Sequence, residues 1–165
     1  MKNKLKYFLS IWIFCIGCGP SIYFNSNDYL IERPSSNEGI YISSFDNYNL
    51  EQKDFIVKMG QELQDNNYFI VDNFLDSKYY LLIEFIEYFG FSENIAKNNK
   101  NMKIILSFYK SEYLKIPLHD LHKKKLVIWD CKIDLKYMEY LKYQDPIIKK
   151  IQSKIFKNSN GKTML

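Results

Sequence analysis

The chain has 165 residues, with 23 lysines and arginines against 19 acids for a net charge of +4, and it is rich in rings, with 14 Tyr and 12 Phe. Lys2, Lys4 and Lys6 account for most of that surplus, since residues 18–165 hold 20 basic and 19 acidic residues, and this near balance excludes a broad positive face for binding nucleic acid through phosphates. Cys131 has no partner beyond Cys15 and Cys18 near the start, so no disulfide framework is expected, and the length suits a single domain with one core.

The first stretch, Met1–Cys18, begins with the three lysines, continues through the apolar run Tyr7–Ile16 and closes on Gly17. A helix spanning a bilayer takes about 20 apolar residues, so this run is short for a retained anchor and has the architecture of an export signal. Its ending, Ile16, Gly17 and Cys18, resembles the bacterial lipobox, although Cys15 stands where that motif most often has Leu. The resemblance implies that residues 1–17 are a lipoprotein signal peptide and that Cys18 carries the lipid, palmitate included, with a plain signal or an anchor as the alternatives. Gly19 in place of Asp after the cysteine implies sorting to the outer membrane, facing the periplasm.

In chain order, residues 18–38 read as tether and linker, with a short first strand over Ser21–Ser26 and a turn-rich connector over Arg33–Gly39. A single domain is expected over residues 39–158, starting with a strand at Ile40–Phe45. Asn49 and Gln52 are spaced as an N-terminal capping pair, and Phe55, Ile56, Met59 and Leu63 form one stripe of a helix that Asn66 and Asn67 end. A short strand follows at Tyr68–Val71, then a long one at Tyr79–Phe91, apolar on both sides and therefore expected to be central. Further strands are expected at Met102–Ile116 and Lys125–Tyr140, the latter alternating Val127, Trp129, Cys131, Ile133 and Leu135 against Asp130, Lys132, Asp134 and Lys136. Asp145 and Pro146 open a second amphipathic helix carrying Ile147, Ile148, Ile151 and Ile155, and residues 159–165 read as a frayed C-terminal tail. The predicted fold class is α+β, a mainly antiparallel β-sheet with two amphipathic helices packed on one face.

Few residues suggest chemistry. His119, Asp120 and His122 are weak candidate metal ligands, but a structural zinc site takes about four protein ligands and no others match, so the expectation is a polar loop and no cofactor. Lys123–Lys125 suit either anionic headgroups or a solvated turn. Glu84 and Glu87 are an odd number of strand positions apart, which puts them on opposite faces and argues against a shared acid–base role. Nucleophile-elbow, phosphate-loop and metalloprotease patterns are all missing from the sequence, and the chain is not expected to be an enzyme. Tyr80, Tyr88, Tyr109 and Tyr113 are candidate interface residues, because they fall on strands apolar on both sides and exposed rings mark interfaces.

Several segments together resemble a known family. Cys18, Leu63–Val71, Asp76–Ile83, Leu126–Ile133 and Asp145–Phe156 follow the element order of small proteobacterial envelope lipoproteins of the domain-of-unknown-function 4136 type. A looser resemblance is to the lipoprotein plug subunit of the lipopolysaccharide translocon. The first implies a non-enzymatic, lipid-anchored accessory or structural lipoprotein of the cell envelope. The second implies an outer-membrane assembly factor that binds lipopolysaccharide or a barrel protein. Neither supplies a catalytic residue, and a homo-oligomer is compatible with both.

Overall fold

The computed structural model describes residues 21–29, 32–44, 49–89, 100–115 and 126–164, so the expectations for Cys18, His119, His122 and Lys123–Lys125 lie outside the described residues. The strands are β1 (Ser21–Asp28), β2 (Ile40–Ser43), β3 (Tyr79–Phe89), β4 (Lys100–Lys110), β5 (Val127–Lys136) and β6 (Ser159–Met164). They form one six-stranded sheet in the order β2-β3-β4-β5-β1-β6. Only the β2–β3 pair is parallel, so the sheet is mainly antiparallel and the class is α+β, as predicted.

The helices are α1 (Leu50–Asp65), α2 (Tyr137–Lys142) and α3 (Gln144–Lys154). Asn49 Oδ1 accepts from the Gln52 N–H at 2.9 Å, which satisfies one of the unpaired donors at the start of α1. Its end is closed by Asn67 in the left-handed region (φ 65°), with the Tyr68 N–H on the Leu63 carbonyl at 3.1 Å and the Asn67 N–H on the Gln64 carbonyl at 3.0 Å. Phe55, Met59 and Leu63 from α1 and Ile147, Ile148 and Ile151 from α3 bury one stripe each. These stripes share a core with Tyr79, Leu81 and Ile83 of β3, Met102, Ile104, Leu106 and Phe108 of β4, and Trp129, Cys131 and Ile133 of β5.

Several expectations are corrected. Residues 18–38 are not all tether: Ser21–Asp28 lies between β5 and β6, with Ile22 and Phe24 fully inside the core. Residues 159–164 are likewise not a frayed tail but the edge strand β6, held to β1 by backbone pairing that its polar side chains do not advertise. β3 is not central. The short β2 covers only Tyr79–Leu82, which leaves Ile86–Phe89 exposed toward the edge, while β4 and β5 occupy the middle. The segment Tyr68–Val71 contributes a single bridge, Ile70 to Ile40, rather than a strand.

The expected strand Lys125–Tyr140 stops at Lys136, where the Glu139 carboxylate accepts from the Lys136 N–H at 3.2 Å and starts α2, a third helix. Within β5 the alternation is broken once. Phe108 pairs with Trp129 and Tyr109 with Val127, so Ile128 is an extra residue in a bulge and Val127 turns to the face away from the helices.

Trp129 is fully buried, its ring 6.4 Å from Phe156, which in turn lies 5.3 Å from Phe108. Trp129→Ala should cost about 3–5 kcal/mol, as deletion of a large buried ring does, read from the urea midpoint of a chain beginning at residue 19. Gly39 accepts from the Lys78 and Tyr79 N–H groups, and a Cβ there would stand 2.7 Å from the Asp76 carbonyl oxygen and 2.9 Å from Val71 Cγ1. Gly39→Ala should therefore lower the same midpoint, by an amount typical of overpacking, about 1–3 kcal/mol.

Candidate functional site

The sheet face away from the helices gathers three of the four candidate tyrosines. Tyr80 and Tyr109 are direct cross-strand partners, and with Leu82, Val127, Tyr113 and Leu126 they form a second, smaller apolar cluster. The bulge at Ile128 is what brings Val127 into it. Tyr41 and Phe74 extend the cluster toward the β2 edge, with ring centroids 5.8 and 6.0 Å from that of Tyr80. Tyr109 is fully buried, so its ring packs instead of offering contact surface, whereas Tyr80 and Tyr113 are half-buried. Tyr88 stands apart, roughly 26 Å further along β3 at 3.3 Å per residue, and donates to Asp134 Oδ1 at 3.3 Å.

Beside the cluster lies a feature that the alternation of β5 concealed. Asp130 belongs to the polar side of the strand yet is almost fully buried, directly opposite Asn27 of β1. Its Oδ1 accepts from Asn27 Nδ2 at 2.7 Å and its Oδ2 from the Tyr29 hydroxyl at 2.9 Å. A buried carboxylate is tolerated only with such donors. Asn27 and Tyr29 were not legible as its partners, since their only connection to it is the register of a strand more than a hundred residues away in the chain.

The phenol of Tyr29 is pushed up to about 12, first by burial and then by its bond to Asp130 and the charge there; that of Tyr109 also rises to about 12, chiefly through burial. Burial pushes the Cys131 thiol far above its ordinary range, which keeps it from being a nucleophile.

Elsewhere the surface carries charge networks and shallow grooves. Lys58 bridges Asp54 at 2.9 Å and Asp145 at 3.0 Å inside a groove of about 390 Å³ between the starts of α1 and α3. The same region is tied together by the Tyr140 hydroxyl and Gln144 Nε2, which both donate to the Glu51 carbonyl, at 2.9 and 3.2 Å. A second groove of about 400 Å³ runs between α1 and the β2 edge past Tyr41, Val57, Gly60 and Ile70. At the far end Lys78 pairs with Glu38 and Glu32, Lys110 pairs with Glu32, and hydrogen bonding from Lys78 draws the Glu38 carboxyl down to about 2. Among the described residues no group of three or more His, Cys, Asp or Glu is placed to hold a metal ion, and no helix is long and apolar enough to cross a membrane.

No family model matches the chain, and no curated protein matches it in sequence. Solved structures do match in fold. A PDZ domain protein from Parabacteroides distasonis aligns over 93% of this chain and 40% of its own length with a TM-score of 0.55 and 9% identity. The PelC dodecamer from Paraburkholderia phytofirmans aligns over 84% of this chain and 99% of its own with a TM-score of 0.50 and 6% identity. A DUF4136 family protein from Bacteroides thetaiotaomicron aligns over 83% and 98% with a TM-score of 0.49 and 8% identity. The structural neighbours thus include a member of the family that the sequence motifs resemble. At these identities the likeness is one of fold.

Both raised phenols keep their protons in the folded chain past the ordinary tyrosine value of 10.0. Their contribution to stability is complete below that pH and is lost as the pH rises toward about 12, because the unfolded chain releases protons that the folded chain retains. Spectrophotometric titration should show a late-ionising class of phenols that moves back to ordinary pH in denaturant. Tyr29→Phe should shrink that class.

Proposed function

We propose that the protein is a non-enzymatic lipoprotein of the bacterial envelope, held through lipid on Cys18 and acting by contact, with an accessory or structural role at the periplasmic face of the outer membrane. The observation that carries this reading is the basic, apolar and Gly-Cys sequence of Met1–Cys18. The absence of catalytic patterns from the sequence supports a role without chemistry. Homo-oligomerisation is part of the proposal. It is supported by fold likeness to a protein solved as a dodecamer and by the outer edge of β6, which has β1 on one side and no strand on the other among the described residues.

The test is where the protein goes and in what form. Cys18→Ser should release the protein from washed membranes into the soluble fraction, because acyl chains rather than an apolar helix retain it. A Cys18→Ser protein that still resists alkaline extraction would show the first stretch to be a true anchor. Purified in mild detergent, the wild-type protein should run as an assembly larger than one chain by light scattering; a monomer at micromolar concentration would remove self-association from the proposal while leaving the anchor intact.

A further inference from the structure

The place where β1 starts determines which part of the domain lies nearest an anchor at Cys18. Ser21, its first residue, lies two positions beyond the Tyr23–Asp134 pair, at the sheet end where β5 finishes at Lys136, β4 begins at Lys100 and β3 finishes at Phe89. Only Gly19 and Pro20 separate Cys18 from this strand, and three residues span at most about 10 Å. A lipid-bearing Cys18 at headgroup level therefore tethers the start of β1, and with it that end of the sheet, close to the bilayer.

That end also has a suitable surface. Phe89 is 76% exposed, Met138 on α2 is 64% exposed, and Leu50 at the start of α1 is 81% exposed. They lie toward the same end because α2 follows directly on β5, the Lys100 ammonium lies 4.0 Å from the centre of the Tyr137 ring, and the Tyr140 hydroxyl is bonded to the Glu51 carbonyl. Of the acids around them, Glu87 pairs with Lys100 and Asp134 with Lys103, and the Glu139 carboxylate caps α2, while Glu51 beside Leu50 is exposed. Lys136 and Lys142 are exposed and have no ion pair among the described residues. Apolar side chains that protrude beside unpaired lysines suit the boundary between acyl chains and anionic headgroups.

We propose that this end of the sheet, formed by Phe89, Met138 and Leu50 with Lys136 and Lys142, rests on an anionic bilayer, so that the sheet stands with its strands rising from the membrane and the Phe74–Asp76 turn at the far end. The proposal rests on lipidation of Cys18.

The experiment uses the full-length protein incorporated through its own N-terminus into vesicles of phosphatidylethanolamine and phosphatidylglycerol, with or without bromine on the acyl chains. Phe89→Trp, Met138→Trp and, as the far-end reference, Leu75→Trp are compared after subtraction of the wild-type signal; Leu75 is 84% exposed, so all three positions accept the ring without repacking. Bromine should quench the first two tryptophans about twofold or more relative to the third, as expected for side chains reaching the acyl boundary. Equal quenching at all three positions in protein that floats through Cys18 would overturn this orientation and leave the anchor standing. A blue-shifted emission at Phe89→Trp and Met138→Trp without bromine quenching would show a protein covering the patch, and would also overturn it. Flotation that persists in Cys18→Ser would overturn the anchor and this inference together.

Discussion

Phe108 of β4 sits directly across from Trp129 of β5, and the pairs that run from it to Asn101 and Lys136 keep one register, with apolar residues of both strands on the side of the helices. The two strands form the middle of the sheet, and the rings of Phe108 and Trp129 meet Phe156 just after α3. Because side chains alternate with a period of two, a slip of one residue would carry Trp129, Cys131 and Ile133 to the face without helices and leave the stripes of α1 and α3 with no apolar surface to cover. Phe156 holds a left-handed backbone (φ 55°) while its carbonyl accepts from Arg33, whose guanidinium also lies over its ring. The turn that returns the chain from α3 to β6 is thus held by the same aromatic group that seals the core.

The bulge at Ile128 separates two kinds of surface on one strand. Beyond it, β5 packs against helices on one side and on the other exposes Lys132 and Lys136 while Asp130 is buried; at it, Val127 crosses over to join Tyr80, Tyr109 and Leu82. The side of the sheet without helices is therefore neither uniformly wet nor uniformly apolar. It has an aromatic end, a buried carboxylate at Asp130 held by Asn27 and Tyr29, and a charged end where Lys103 and Tyr88 meet Asp134. The aromatic and charged ends form where β3 and β4 run beside β5, and the carboxylate is held from the β1 side, so the face reads as a mixture in sequence and as zones in space.

β1 has consequences for how the chain is completed. It pairs with β5 and β6, both near the other end of the sequence, and its Ile22 and Phe24 belong to the main core. Closing such long loops costs entropy before any pairing repays it, so β1 and β6 are expected to dock after the local α1 and the β3–β4 pair have formed.

Sequence by itself determined what depends on local periodicity and capping. Asn49, the stripe Phe55, Met59 and Leu63, and Asn67 in the left-handed cap define α1 without help from the rest of the molecule, and the alternation of β5 places Trp129, Cys131 and Ile133 in the core. From those came the α+β class and helices on one side of a mainly antiparallel sheet. Tertiary structure alone decided features in which one segment answers to another that is distant in the chain. Ser159–Met164 is a strand only because β1 offers it a ladder, Asp130 finds its donors only in Asn27 of β1 and Tyr29 just after it, and Tyr109 is enclosed while its neighbour Tyr80 is not. Tyr137–Lys142 turns helical where its pattern continued a strand, because Glu139 caps the Lys136 N–H and Tyr140 finds the Glu51 carbonyl. Hydrogen bonds and burial supplied by non-local neighbours outweigh propensities worth a few tenths of a kcal/mol per residue, roughly, and no window of sequence contains those neighbours.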